Sequence, residues 1–167
     1  AMGEHIVVST WAYDFKGFYG YRNFTLHTGE GELLSYANSL WIYMDMQTKS
    51  PAKIEAEEAD GYGMEEKFPM EYAPRKVPVP KEGIWEEPFI IRRHQLDLNH
   101  HVNNGQYIQM AMDYLPEGFA VHQMRAEYKK QAVLNSKVIP KIWQEDGRCT
   151  VALCAQDGSP YAVAQFQ

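Results

Sequence analysis

Between Leu34 and Met46 the apolar side chains fall on alternate positions: Leu34, Tyr36, Leu40, Ile42, Met44 and Met46, interrupted only by Asn38. A period of two places them on one face of a strand and predicts that this face is buried. Two β-branched and aromatic runs precede it. EHIVVSTWAYDF starts at Glu4 and is closed by Gly17; FYGYRNFTLHT starts at Phe18 and is followed by Gly29-Glu30-Gly31. Residues 4–46 therefore read as a three-strand meander. A second meander closes the chain: HQMRAEYKKQAV, KVIPKIWQ, RCTVALCA and YAVAQFQ, with hairpin turns at Glu145-Asp146-Gly147 and Asp157-Gly158.

One stretch breaks the two-residue period. Tyr107, Ile108, Met110, Ala111, Met112, Tyr114 and Leu115 wrap almost all round a helix, the pattern of one buried on most sides. Asn103 and Asn104 supply its cap, and Pro116 and Gly118 its stop. Just before it, Asp97, Asn99 and His101 stand at two-residue spacing where a strand gives way to the helix start. Unpaired backbone N–H groups and the positive end of the helix dipole collect there, which suits a developing oxyanion. Asp97 or His101 can activate a water, directly or in relay, and Asn99 can polarise a carbonyl or orient that water. The amides around Asn103, Asn104 and Gly105 can hold the oxyanion. Taken singly, Asp97 and Asn99 read as turn caps and His100 and His101 as surface residues. Packed together before a buried helix, they read better as a catalytic site.

Rival chemistries find less support. His94, Asp97, His100 and His101 are clustered, but no HExxH spacing or thiolate pair accompanies them, so no metal is expected. No GxSxG elbow offers a serine nucleophile. Cys149 and Cys154 lie at odd spacing on one strand, so they face opposite sides and read as small buried hydrophobes. Unpaired cysteines fit a reducing, cytoplasmic setting. No cofactor is implied.

The middle of the chain is different. Ser50-Pro51 predicts a helix start, with Ser50 as cap and Pro51 in the first turn, running through Ala59 to a stop at Gly61. Pro69, Pro74, Pro78 and Pro80 then indicate an extended connector. The domain reading is a first unit over 1–54, a linker over 55–83 and a second unit over 84–167. Only the second meander has a strand and a buried helix before it. If the two are repeats, the first lacks its opening strand and helix. Its apolar faces are then expected to lie open as a groove or under a partner chain, a homodimer being one such arrangement. A longer natural protein is expected, with Ala1-Met2 internal to it or partly foreign.

Charge narrows the partners. The formal net charge is −6, with acid concentrated in Glu55, Glu57, Glu58, Asp60, Glu65 and Glu66. That argues against nucleic acid, whose phosphates need a basic face. Arg92-Arg93 and Lys129-Lys130, with Arg125 and Lys137 nearby, are the local basic clusters, and they suit an acidic partner. No apolar run has the length of a membrane span, and the N-terminus shows no basic-then-apolar export signal.

These residues carry a family resemblance. GEHIVVSTW (3–11), YRNFTL (21–26), SYANSLWIYMDMQTKSPAKI (35–54), LDLNHHVNN (96–104) and AEYKKQA (126–132) together resemble the acyl-acyl carrier protein thioesterases of plants and bacteria. The resemblance implies an α+β double hotdog, an antiparallel sheet wrapped around a central helix in each half, with the first half incomplete. It implies hydrolysis of acyl-acyl carrier protein thioesters, releasing free fatty acid, with the carrier protein as partner. The same site would serve acyl-coenzyme A, and a non-catalytic acyl-binding or regulatory protein is the other alternative. Asp97, Asn99 and His101 fall on the family's catalytic aspartate, asparagine and histidine. Gln131 stands where the family commonly has a glutamate, and Ala132 where plant members have a cysteine. An amide orients water but does not deprotonate it, so the base falls to Asp97 or His101.

Overall fold

The computed structural model describes residues 3–145 and 147–167, which form two compact units, Ala1–Ala73 and Pro74–Gln167. Ala1, Met2 and Asp146, and with Asp146 the middle of the first expected hairpin turn, lie outside the described residues.

In the first unit, β1 (Ile6–Lys16), β2 (Tyr19–Thr28) and β3 (Leu33–Ile42) form the expected antiparallel meander in the order β1-β2-β3. Gly17, at φ +62°, makes the tight reversal between β1 and β2, a backbone setting that suits glycine. The expected half-burial of β3 is not found. Leu34, Tyr36 and Ile42 are each about half exposed, and Met46 beyond the strand is 83% exposed. Alternation fixes which side chains share a face, but burial depends on whether anything covers that face.

The helix expected from Ser50 begins later. Asp45 Oδ1 accepts the N–H groups of Gln47 and Thr48 at 2.7 and 3.0 Å, turning the chain back. As a result β5 (Ser50–Pro51) pairs with β4 (Met44–Asp45). The helix α1 (Ala56–Asp60) starts only after Glu55, whose N–H donates to Glu58 Oε2 at 3.3 Å, and its C-cap is Gly61, the expected stop. A side-chain turn upstream has overridden the local Ser-Pro signal.

The connector is not free chain. Its part from Glu65 to Tyr72 lies against one face of the first sheet. Phe68 packs on Trp11 and Tyr36, and Tyr72 packs on Tyr13. Asn23, fully buried in β2, holds this segment. Its Oδ1 accepts the Phe68 N–H at 3.1 Å and the Tyr72 hydroxyl at 3.0 Å, while its Nδ2 reaches Ala37 O at 3.3 Å. The other face keeps an apolar groove of about 620 Å³ lined by Ala12, Phe15, Phe24, Trp41, Ile54 and Tyr62, with Arg22 bonded to Thr10. The uncovered groove is thus present on one face, whereas the other is covered by the chain's own connector.

The second unit contains β6 (Ile84–Trp85), β7 (Phe89–Ile90), a 3-10 turn at Arg93–Gln95, α2 (Asn104–Met112), β8 (Met124–Tyr128), β9 (Lys137–Glu145), β10 (Arg148–Cys154) and β11 (Pro160–Phe166). The strands run antiparallel in the order β6-β9-β10-β11-β8, with β7 also beside β9. Val138, Ile142, Val151, Leu153, Ala164 and Phe166 point to the same side as Tyr107, Met110 and Ala111 of α2 and form the core with them. The helix is buried on one side only, because one sheet supplies one inner surface. Ile108, Tyr114 and Leu115 are partly buried, and Met112 is exposed. Regular helix ends at Met112, capped at Asp113, and looser turns carry the chain to Pro116.

The outer surface of this sheet is covered as well. Residues 74–83 run across it as a strap. Arg125 donates to the carbonyls of Pro74 and Lys76 at 2.6 and 3.2 Å, and the Val77 N–H donates to Glu127 Oε2 at 3.1 Å. Val77 closes a cluster with Trp143, Ala152, Cys154 and Val163. Cys149 and Cys154 do face opposite sides of β10, each buried and unpaired. The linker expected over 55–83 is therefore divided, its first part packed on one unit and its last part on the other. Among the described residues no helix is long and apolar enough to cross a membrane.

Candidate active site

Residues 96–102 form a tight antiparallel loop. Leu96 and Val102 face each other across it and turn inward toward the core, Val102 being 5% exposed. One position further in, the Asp97 N–H donates to His101 O at 2.8 Å, so Asp97 and His101 are directly opposed. Because side chains alternate, this pair lies on the outward side of the loop. The sequence spacing of four thus becomes a cross-strand juxtaposition.

Asp97 also builds the turn. Its Oδ1 accepts the Asn99 N–H at 2.8 Å and the His101 N–H at 3.2 Å. His100 takes a left-handed backbone at φ +61° to complete the reversal, and Leu98 at the tip is 98% exposed. Of the two readings of Asp97 made from the sequence, the turn cap is seen directly at Oδ1, and among the described residues Oδ2 has no partner. His101 is half-buried, and its ring nitrogens likewise have no partner among the described residues. Asn99 is exposed on the same turn, and His100 and His94 are surface residues.

The helix start follows directly. The Asn103 N–H donates to Gln95 O at 3.0 Å, and its side chain caps α2 by accepting the Gly105 N–H at 2.8 Å. The Gly105 amide is therefore engaged within the chain, and the Asn104 N–H is the first-turn donor left without an acceptor among the described residues. Of the three amides expected to face an oxyanion, Asn104 is the one available.

Gln131 arrives from the other side. Val102 N–H donates to Ala132 O at 3.0 Å, and His101 bridges Val133 in antiparallel pairing. Alternation along this short pairing sends Ala132, fully buried, into the core and puts Gln131 on the side of His101 and Asn103. The structure thus brings Asp97, His101 and Gln131 to one side of two adjoining extended segments beside the start of α2. Ala132 leaves no thiol there, and burial pushes the Cys149 and Cys154 thiols up, away from nucleophilic use. No cluster of three or more His, Cys, Asp or Glu side chains suited to a metal occurs among the described residues.

Two tyrosines escaped the sequence reading. Tyr107 and Tyr128 pass there as a helix-core residue and a strand residue, yet their hydroxyls bond to Ala132 and Asn104, on either flank of the site. A buried tyrosine signals an oxygen that needs a partner, but its position along the chain does not say which. The basic residues have mixed employment. Arg125 holds the strap, Lys129 pairs with Glu127 at 3.2 Å, Lys130 lies 4.0 Å from Asp157, and Arg92 and Arg93 are exposed.

A family model for the acyl-acyl carrier protein (ACP) thioesterase N-terminal domain matches residues 1–62, and one for the acyl-ACP thioesterase C-terminal domain matches residues 80–165. The chloroplastic acyl-[acyl-carrier-protein] hydrolase FATB2 of Cuphea viscosissima is 30% identical over 122 residues, covering 68% of this chain. The chain spans 29% of that protein's length. In solved structures, an acyl-ACP thioesterase from Bacteroides thetaiotaomicron superposes at TM-score 0.85 with 19% identity, over 98% of this chain and 68% of the other. A 12:0-ACP thioesterase from Umbellularia californica superposes at 0.79 with 18% identity, over 99% and 68%. These two likenesses establish the fold, the expected double hotdog.

Proposed function

The chain belongs to the acyl-ACP thioesterase family, and from that premise we propose that it hydrolyses acyl thioesters carried on acyl carrier protein, releasing the free fatty acid. The observation that carries this reading is the opposition of Asp97 and His101 on the outward side of the 96–102 loop, beside an unoccupied helix-start amide. A water held between these groups gives a proton to His101 or Asp97 as its oxygen adds to the thioester carbonyl. The carbonyl oxygen takes up negative charge at the Asn104 N–H and the positive end of α2. Collapse of the tetrahedral intermediate expels the carrier's thiolate. Asn99 and Gln131 orient the water or the carbonyl. Steady-state hydrolysis of an acyl-ACP substrate beside the matching acyl-coenzyme A tests the reading. Turnover of neither overturns it.

Docking of an acidic carrier falls to Arg92 and Arg93, the basic pair exposed next to the site loop, with Lys129 and Lys130 as further candidates. Charge reversal at Arg92 and Arg93 raises KM for the carrier-borne substrate and weakens its salt dependence, leaving a simple acyl thioester unaffected. Equal loss on both substrates rules out carrier docking at this pair.

Gln131 decides between an enzyme and an acyl-binding relative. If proton transfer rests on Asp97 and His101, Gln131→Ala removes one orienting hydrogen bond, an effect of about 1–3 kcal/mol on the barrier. Gln131→Glu then shifts the pH–rate profile more than it raises the plateau, because a second carboxylate near Asp97 opposes its ionisation. Should Gln131→Glu instead turn an almost inactive protein into a fast hydrolase, the native chain lacks its base, and the binding role is the better account.

A further inference from the structure

We propose that Tyr107 and Tyr128 form a clasp that positions Gln131 and His101, a role that rests on the hydrolase reading above. The Tyr107 hydroxyl, on the buried side of α2, accepts the Ala132 N–H at 2.8 Å. Ala132 in turn accepts the Val102 N–H at 3.0 Å, and Val102 sits directly between His101 and Asn103. Two consecutive hydrogen bonds therefore connect the interior of the helix to the backbone of the site loop.

Tyr128 makes the reciprocal connection. From the end of β8 its hydroxyl donates to Asn104 O at 3.2 Å, in the first turn of α2, and its ring lies 6.1 Å from that of Tyr107. The helix thus grips the strand side at Ala132, and the strand side grips the helix start at Asn104. Gln131 lies inside the span 128–132 that these two bonds pin at its ends. Asn104, whose N–H is the available oxyanion donor, is the residue whose carbonyl receives Tyr128. One clasp sets both the water-orienting amide and the oxyanion donor relative to His101.

Chemistry that depends on attack geometry is sensitive to sub-ångström displacement, whereas substrate binding spread over a large surface is not. Tyr107→Phe keeps the ring and removes the acceptor that the buried Ala132 N–H has among the described residues. It is expected to lower kcat about tenfold while KM stays within about twofold. In the same variant, amide hydrogen exchange at Ala132 and Val102 is expected to accelerate. Val163→Ala, on the outer side of the sheet away from α2, serves as the control. Compared at temperatures where both variants are equally stable, it leaves kcat unchanged if the effect of Tyr107 is positional. Tyr128→Phe, at a residue 44% exposed, gives a second reading should Tyr107→Phe fail to fold, with the same kcat–KM split expected.

Unchanged kcat in folded Tyr107→Phe or Tyr128→Phe overturns the positioning role. Equal loss in Val163→Ala reduces it to a stability effect and overturns it too. Wild-type protein that turns over no acyl thioester removes the hydrolase reading and this role together. Active wild type with an indifferent clasp removes this role alone.

Discussion

Alanine at Asp97 or at His101 lowers kcat for acyl thioester hydrolysis by at least ~10²-fold, the usual scale for losing a general base. The two side chains oppose each other across one loop, so they act as a unit, and the double variant is expected to lose little beyond either single one. Asp97 requires a more careful substitution. Its Oδ1 caps the turn through the Asn99 and His101 N–H groups, so Asp97→Ala disturbs the loop as well as the chemistry. Asp97→Asn retains an acceptor for the turn and removes the carboxylate. A large drop in kcat with Asp97→Asn assigns the loss to proton transfer or charge. Normal kcat in a folded His101→Ala or Asp97→Asn protein would falsify the site.

The largest stability effect is expected at Asn23 rather than at any core hydrophobe of the first unit. Its side chain satisfies the Phe68 N–H and the Tyr72 hydroxyl and bonds to Ala37 O, all from a fully buried position. Asn23→Ala leaves the Phe68 N–H without its acceptor and opens space beneath the connector, while the Tyr72 hydroxyl keeps the Phe68 carbonyl at 2.9 Å. A buried polar group left unsatisfied costs about 1–3 kcal/mol, and the emptied space adds to it, so a loss of about 3 kcal/mol is expected. Denaturant unfolding measures it, and limited proteolysis locates it by new cleavage between Glu65 and Ala73. A loss below about 1 kcal/mol, with the segment still protected, shows that the aromatic contacts of Phe68 and Tyr72 hold it instead.

The strands were legible because a period of two survives in a single sequence, and the start of α2 was legible because Asn103 is a strong cap. The opposite orientations of Cys149 and Cys154 followed from parity alone. Coverage was not legible. Whether Leu34 and Tyr36 are buried depends on what lies over β3, and Phe68, Met70 and Tyr72 occur among prolines with no period to announce that they pack on the sheet. The α1 start was misplaced because Asp45, five residues upstream of Ser50, captures two N–H groups and reverses the chain before Ser50-Pro51 can begin a helix. At the site, Asp97, Asn99 and His101 were legible from their spacing before the helix start, and Gln131 from the resemblance alone. Which of these oppose one another came from pairing register, and register is set by contacts distant in sequence. The tyrosine hydroxyls were hidden because a pattern of apolar positions counts the ring and ignores the oxygen.

The two thiols of β10 have a use unrelated to catalysis. Cys154 lies beneath Val77 in the layer closed by the strap, and Cys149 lies in the layer shared with α2. A thiol reagent reaches each only when the layer above it lifts. The relative rates of modification therefore act as two clocks on one strand, reporting separately how often the strap and the helix open in the native protein.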